Sequence, residues 1–183
     1  RSIYISNLKM KIAIAQLYTE NLDDWADIPI KNKEIYCNKH GYDLVTRRGS
    51  YDTKFETRHP SWHSVLLLLE ILETTDVDWV FWSDIDALIM DQTVKLESFI
   101  KPSFDMVIPD QGQGEYCGKK CSSCLCCGHY FVKNTDWTKS FLRLLWDWPK
   151  GEFHSYKSDH YWEQCGMNYL RDQNAMNFDR HVY

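Results

Sequence analysis

No stretch of this 183-residue chain has the length and apolar character to cross a bilayer. Its strongest apolar run, "SVLLLLEIL" (Ser64–Leu72), is short and broken by Glu70, whereas a spanning helix needs about 20 apolar residues. The opening "RSIYISNLKMK" lacks the apolar centre and small-residue cleavage site of a signal peptide, so the chain reads as soluble. A basic excess is lacking too: 21 Lys and Arg stand against 26 Asp and Glu, a formal charge of −5. That balance excludes a general nucleic-acid binder, which needs a basic footprint. An acidic protein can still hold an anionic nucleotide through an intervening metal ion. Internal repeats, low-complexity tracts and Pro/Gly linkers are also missing, so residues 1–183 are read as one domain. There is no Gly-rich loop bearing Lys or Arg to cradle a triphosphate, which disfavours a nucleotidyltransferase.

What the chain has is core material: 44% hydrophobic and 15% aromatic residues, unlike a disordered sequence. Its seven cysteines are an odd number, and five fall in "CGKKCSSCLCC" (Cys117, Cys121, Cys124, Cys126, Cys127), with Cys37 and Cys165 far away. The spacing is neither paired C-x-x-C nor a His-bearing finger. A loop with one or two disulfides, or with reduced thiols, ranks above a zinc knuckle.

Strand-like and helix-like pieces alternate. "KIAIAQLY" (Lys11–Tyr18) has the look of a buried parallel strand. In "DIPIKNKEIYCNKHG", Asp27 is a candidate cap, Pro29 sits near the first turn and Gly41 follows the last. "YDLVT" (Tyr42–Thr46) reads as a strand, and Ser61 as the N-cap of "WHSVLLLLEILETT". Further strands are expected at "VDWVFWS", "FDMVIPD" (Phe104–Asp110) and "GHYFVKN", with a closing one at "HVY". Helices are expected at "TDWTKSFLRLLWDW", capped by Thr135 or Asp136, and near "YWEQCGMNYLRD". This alternation implies an α/β fold with a mainly parallel central sheet flanked by helices. In such sheets the ligand crevice lies beyond the carboxyl ends of the strands.

"WVFWSDIDALIM" (Trp79–Met90) places Asp84 and Asp86 at that edge. Residues i and i+2 of extended backbone project to one side, so the two carboxylates would crowd each other. Lys and Arg are absent from Trp79–Gln92, and a divalent cation is the economical partner: oxygen ligands suit Mg²⁺ or Mn²⁺. The competing structural reading makes Asp86 the cap of a short helix at "ALIM". A turn built for structure alone would more often use Gly, Asn or Pro.

"WVFWSDIDALIMD" resembles the Asp-x-Asp segment of nucleotide-sugar glycosyltransferases with the GT-A fold, and more narrowly glycosyltransferase family 34. Other blocks agree in order: "KIAIAQ", "IKNKEIYCNKHGYDL", "SWHSVLLLLEIL", "CGHYFVKNTDWTKSFLRLLWDW" and "EQCGMNYL". Departures are His63-Ser64 after Trp62, Trp162-Glu163 before Gln164, and Cys126-Cys127 before Gly128. The family pattern has a late His as third metal ligand. This chain ends at "DRHVY", near where one more strand would precede that region, and His181 does not sit in the matching position.

The resemblance implies a metal-dependent, retaining transferase that moves a hexose or pentose from a UDP-sugar to a glycan or glycoprotein acceptor. Asp84 and Asp86 would bind Mn²⁺ or Mg²⁺ and, with Ile85, the donor. Ala15, Gln16, Leu17 and Tyr18 would meet the uridine. Glu163 and Gln164 would face the sugar, with Asp159 the alternative carboxylate. Gly128 and His129 would line the sugar or acceptor side, and Asp110 the acceptor side. Trp62 and Trp82 read as core. The rival functions are a sugar-nucleotide or glycan-binding module without turnover and a zinc-stabilised interaction domain built on the Cys run.

Overall fold

The computed structural model describes residues 9–51, 58–158 and 160–183. Among the described residues, seven strands and five α-helices follow in chain order: β1 (Ile12–Tyr18), α1 (Asp23–His40), β2 (Asp43–Arg48), α2 (His63–Thr74), β3 (Trp79–Ser83), β4 (Met106–Val107), β5 (Gly114–Tyr116), β6 (Lys119–Cys121), β7 (His129–Lys133), α3 (Asp136–Asp147), α4 (Trp162–Asp172) and α5 (Phe178–His181). The central sheet has the order β2-β1-β3-β7-β4, and β5 with β6 forms a separate hairpin. β1 pairs in parallel with both β2 and β3, while β7 runs antiparallel to β3 and β4. Four of the five strands therefore point one way and β7 alone is reversed, which makes the sheet mixed.

Period-two alternation divides the core between the two faces of this sheet. Ala13 and Ala15 of β1, with Val80 and Trp82 of β3, pack under Val65, Leu68 and Leu72 of α2 and Phe141 and Leu145 of α3. Ile12, Ile14, Trp79 and Phe131 face the other way, onto Tyr36 and Cys37 of α1 and onto Leu96 and Ile100. Each fully buried aliphatic or aromatic side chain is worth about 1.5–3 kcal/mol, so both faces contribute to stability. Trp62 is fully buried and donates its indole N–H to Tyr156 C=O at 3.0 Å, consistent with a core residue.

Local chemistry moves several expected boundaries. α1 begins at Asp23, a turn before Asp27, and Pro29 lies buried inside it. Asp23 and Asp24 put negative charge on the helix's positive end, and Asp23 accepts two bonds from Arg48 at 2.9 and 2.6 Å. Gly41 does end the helix, in the left-handed conformation at φ +73°, with its N–H on Cys37 C=O. Ser61 does not cap α2. A 3₁₀ turn over Pro60–Trp62 leads into the helix, and the His59 side chain accepts the Ser61 N–H. Thr135 caps α3 through its hydroxyl, which accepts the Thr138 N–H. β4 is only two residues long because its flanks bond to the chain's last residues: Asp105 N–H to His181 C=O at 2.7 Å and Ile108 N–H to Tyr183 C=O at 3.1 Å. The strand expected at "HVY" is a single parallel bridge from Val182 to Met106.

The cysteine run forms two disulfides, Cys121–Cys124 and Cys117–Cys165. The second ties the β5–β6 hairpin to α4 across 48 residues. Cys37, Cys126 and Cys127 are free thiols. With four cysteines paired to one another, the disulfide expectation stands ahead of a zinc knuckle. Among the described residues no helix is long and apolar enough to span a membrane.

Candidate active site

β1 and β3 are parallel neighbours, so their carboxyl ends emerge side by side, and a cavity of about 710 Å³ opens there. Leu17 and Tyr18 line it from β1, Asp84, Ile85 and Asp86 from the turn after β3. Its far wall consists of Cys127 and Gly128, just before β7, with Glu163 and Gln164 at the start of α4. Residues from four separate regions of the sequence thus meet at one edge of the sheet.

Asp84 is held by several bonds. Its Oδ1 accepts the Trp82 indole N–H at 2.9 Å, and its own N–H donates to Gly128 C=O at 2.9 Å. Trp82 is therefore a buried core residue that also fixes a carboxylate. Gly128 is needed for close approach: a β-carbon there would lie 3.1 Å from Asp84 Oδ2. Burial pushes the Asp84 carboxyl up to about 6; Trp82 and Lys33 oppose that shift, and Asp86 adds to it. Asp86 is exposed. Residues 87–90 form no helix, and Ala87 N–H closes a turn on Asp84 C=O, so Asp86 is not the cap of a helix at "ALIM".

The cation absent from Trp79–Gln92 arrives from α1. Lys33 is completely buried and donates to Asp84 C=O at 2.8 Å and Gln16 Oε1 at 2.9 Å. Burial lowers its ammonium to about 8, against the pull of Asp84 and Asp86. Gln16 passes the chain on, donating to Thr46 Oγ1 at 2.7 Å. Gln16 and Ala15 are fully buried and lie behind the cavity instead of on its wall, Gln16 being turned into its bonds with Lys33 and Thr46. The one-residue shift to Leu17 and Tyr18 reaches open space.

On the α4 wall, Gln164 Oε1 accepts Cys127 N–H at 3.0 Å, and Asn168 Oδ1 accepts Leu125 N–H at 2.9 Å. These bonds and the Cys117–Cys165 disulfide fix α4 to the loop before β7. The Oε2 of Glu163 is sealed from solvent and without a hydrogen-bond partner. Burial raises this carboxyl to about 8, and the charge of Asp84 adds to the rise. Cys127, beside it, is buried, and its thiol is likewise pushed well up.

The rim is aromatic, a feature that the sequence reading missed. His59 stacks on Trp162 with centroids 3.7 Å apart and planes 4° from parallel. Tyr161, His160 and a 37%-exposed Trp25 complete it. Their residue types carried no spacing signal, since α1 and the Pro60 turn bring them together only in the fold.

His129 and Asp110 line a second, mostly apolar cavity of about 750 Å³ near Phe81 and Phe131. Gly128, in the turn before β7, lines the first cavity, whereas His129, the first residue of the strand, lines the second. His181 bonds Asp105 at 2.5 Å and stacks on Trp137, away from this corner. Asp159 lies outside the described residues. Among the described residues no group of three or more His, Cys, Asp or Glu is placed to hold a metal ion. Two carboxylates nevertheless suit Mg²⁺ or Mn²⁺, which commonly keep several waters and bind through one or two carboxylates plus substrate phosphates.

The sequence model of the galactosyl transferase GMA12/MNN10 family matches residues 10–106, more than half of the chain. The chain belongs to this family. The match runs from β1 through Asp84 and Asp86 into β4. Relatives of this family member include a probable alpha-1,6-mannosyltransferase MNN10 of Saccharomyces cerevisiae, 22% identical over 70% of this chain and 38% of the relative. An uncharacterized alpha-1,2-galactosyltransferase C637.06 of Schizosaccharomyces pombe is 21% identical over 78% of this chain and 52% of its own length. The chain thus spans about half, or less, of these curated relatives. A crystal structure of a glycosyltransferase involved in the glycosylation of the major capsid of PBCV-1 superposes with a TM-score of 0.70, at 16% identity, over 94% of this chain and 80% of that one. At that identity the likeness shows the fold alone, and the fold is the expected GT-A type.

Proposed function

We propose that this family member is a metal-dependent, retaining glycosyltransferase that moves a hexose or pentose from a UDP-sugar to a glycan or glycoprotein acceptor. The observation that carries this reading is the convergence of Asp84, Asp86, Glu163 and Gln164 on one cavity beyond the carboxyl ends of β1 and β3. Leu17 and Tyr18 take the nucleoside end of the donor, and Asp84 and Asp86 are the residues that would hold Mn²⁺ or Mg²⁺. When bound, that ion supplies charge stabilisation for the departing UDP. In the transfer, the bond from the anomeric carbon to phosphate breaks and one to the acceptor oxygen forms on the same face. The acceptor's proton passes to the leaving phosphate oxygen.

Gln164 has its carbonyl on Cys127 N–H, so its amide N–H₂ is the donor available to a sugar hydroxyl. Glu163 carries its proton at neutral pH in the free protein and meets a bound sugar first as a donor. The form that has released this proton to bulk water is the one that would stabilise positive charge at the anomeric carbon. The test is a UDP-sugar panel with and without Mn²⁺, reading UDP release by this protein and by Asp86→Asn. Metal-dependent release lost in the variant supports the reading. Donor binding by calorimetry without release from any sugar would return the protein to the binding-module alternative.

A further inference from the structure

The segment bearing Asp84 and Asp86 is gripped at both ends by two successive residues of α1. Asn32 pairs twice with the main chain of Ile89, donating to its C=O at 3.2 Å and accepting its N–H at 2.8 Å. Lys33 binds the other end, at Asp84 C=O, and anchors to β1 and β2 through Gln16 and Thr46. The two grips differ in charge. Asn32 is neutral, whereas Lys33 is a buried cation bonded to the main chain of Asp84 itself.

We propose that Lys33 is a positioning residue that serves as the resident counter-charge of the Asp84–Asp86 turn, holding two like-charged side chains in place before a divalent ion and a diphosphate arrive. This inference rests on the reading of that turn as the donor site. Two carboxylates in one turn repel, and one of them is largely withdrawn from water. An ammonium can donate three hydrogen bonds, and two of those of Lys33 are fixed by neutral acceptors. Its positive charge therefore stays beneath the pair without occupying the carboxylate oxygens. Among the described residues, Lys33 leaves the carboxylate oxygens free of a cation, with only the Trp82 indole bonded to Asp84 Oδ1, while the turn keeps its place without an ion.

The experiment compares melting temperatures of the full chain as wild type, Lys33→Met, Asn32→Ala and Lys33→Met/Asp86→Asn, each with and without Mg²⁺. Lys33→Met keeps most of the volume and removes the charge. It should melt roughly 10 °C lower, as expected for uncompensated buried charge. Mg²⁺ should restore a larger share in this variant than it adds to the wild type. Adding Asp86→Asn should recover stability without Mg²⁺, because one of the repelling charges is gone. Asn32→Ala removes a tether without a charge, so its loss should be the same with and without Mg²⁺. The proposal is overturned if Lys33→Met loses the same amount in both conditions and the second substitution recovers nothing. Should Lys33→Met not fold alone, a folded Lys33→Met/Asp86→Asn supports the idea and an equally unfolded one overturns it. The Mg²⁺-free recovery reads Lys33 without any donor, so it can fail while UDP-sugar turnover succeeds, and the reverse.

Discussion

Asp84 and Glu163 face one cavity from opposite walls, and both have been moved out of water, yet they have different surroundings. Asp84 has an indole N–H, a lysine nearby and a position at the end of a central strand; its carboxyl rises only to about 6. Glu163 has a buried oxygen with no partner, and its carboxyl rises to about 8. At pH 7 the first is mostly ionised and the second mostly protonated. One cavity therefore presents a negative charge on one wall and a neutral acid on the other, the pair that the proposed function assigns to a cation and a sugar. Desolvation alone does not decide which role a carboxyl takes; the donors around it do.

The largest expected effect breaks the comparison on the Asp side. Asp86→Asn should cut metal-dependent UDP release by at least about 100-fold, the scale on which single charge-stabilising groups act, with the melting curve nearly unchanged. Glu163→Gln should also cost about 100-fold in turnover, but it should make the protein more stable. The sign follows from the raised carboxyl: above the unfolded value near 4.5 the unfolded chain loses this proton while the folded chain keeps it up to about 8. Folding therefore weakens as pH climbs through that window. The stabilisation by Glu163→Gln should grow from pH 5 to pH 8, read as the gap between two denaturation midpoints.

Cys117→Ser tests what holds the Glu163 wall. Loss of the cross-link to α4 should cost about 2–4 kcal/mol in urea unfolding, and hydrogen exchange should rise in α4 before it rises in β3. A smaller change sharpens the comparison. Trp82→Phe removes the donor to Asp84, so that carboxyl should move up towards the value of Glu163. Besides a packing cost common to both pH values, an added cost of about 1–2 kcal/mol should appear at pH 7.5, where Asp84 is ionised, and nearly vanish at pH 5. The smallest effect is expected from Gly128→Ala, whose added carbon crowds Asp84 Oδ2 at 3.1 Å. A loss of about 1 kcal/mol in donor affinity, seen by calorimetry, would show that this approach matters.

The Asp wall was legible because its signal is local. Two carboxylates, two residues apart at the end of an aromatic, β-branched strand, can be read from a dozen letters. The order of strands and helices was legible for the same reason, and Thr135 and Gly41 marked helix ends as their chemistry dictates. What escaped was tertiary. Lys33 is 51 residues from Asp84 in sequence, so a cation missing from the segment gave no warning that α1 supplies one. Ser61 lost its capping role because the 3₁₀ turn over Pro60–Trp62, capped by the His59 imidazole on the Ser61 N–H, places Ser61 ahead of α2. Gln16 turns into the bonds of Lys33 and Thr46 and His129 lines the second cavity, placements that depend on the packing of neighbouring elements and that a local motif does not carry.

The reversed direction of β7 has a bearing on how this cleft could vary. A strand running against its neighbour begins where that neighbour ends, so the cavity is walled by a connection arriving at the sheet as well as by those departing from it. Residues 111–128, cross-bridged and outside the main ladder, can change length or chemistry upstream of the pairing that registers β7. Under the proposed function, substitutions in residues 111–128 would alter that wall while leaving the corner built from the ends of β1 and β3 in place.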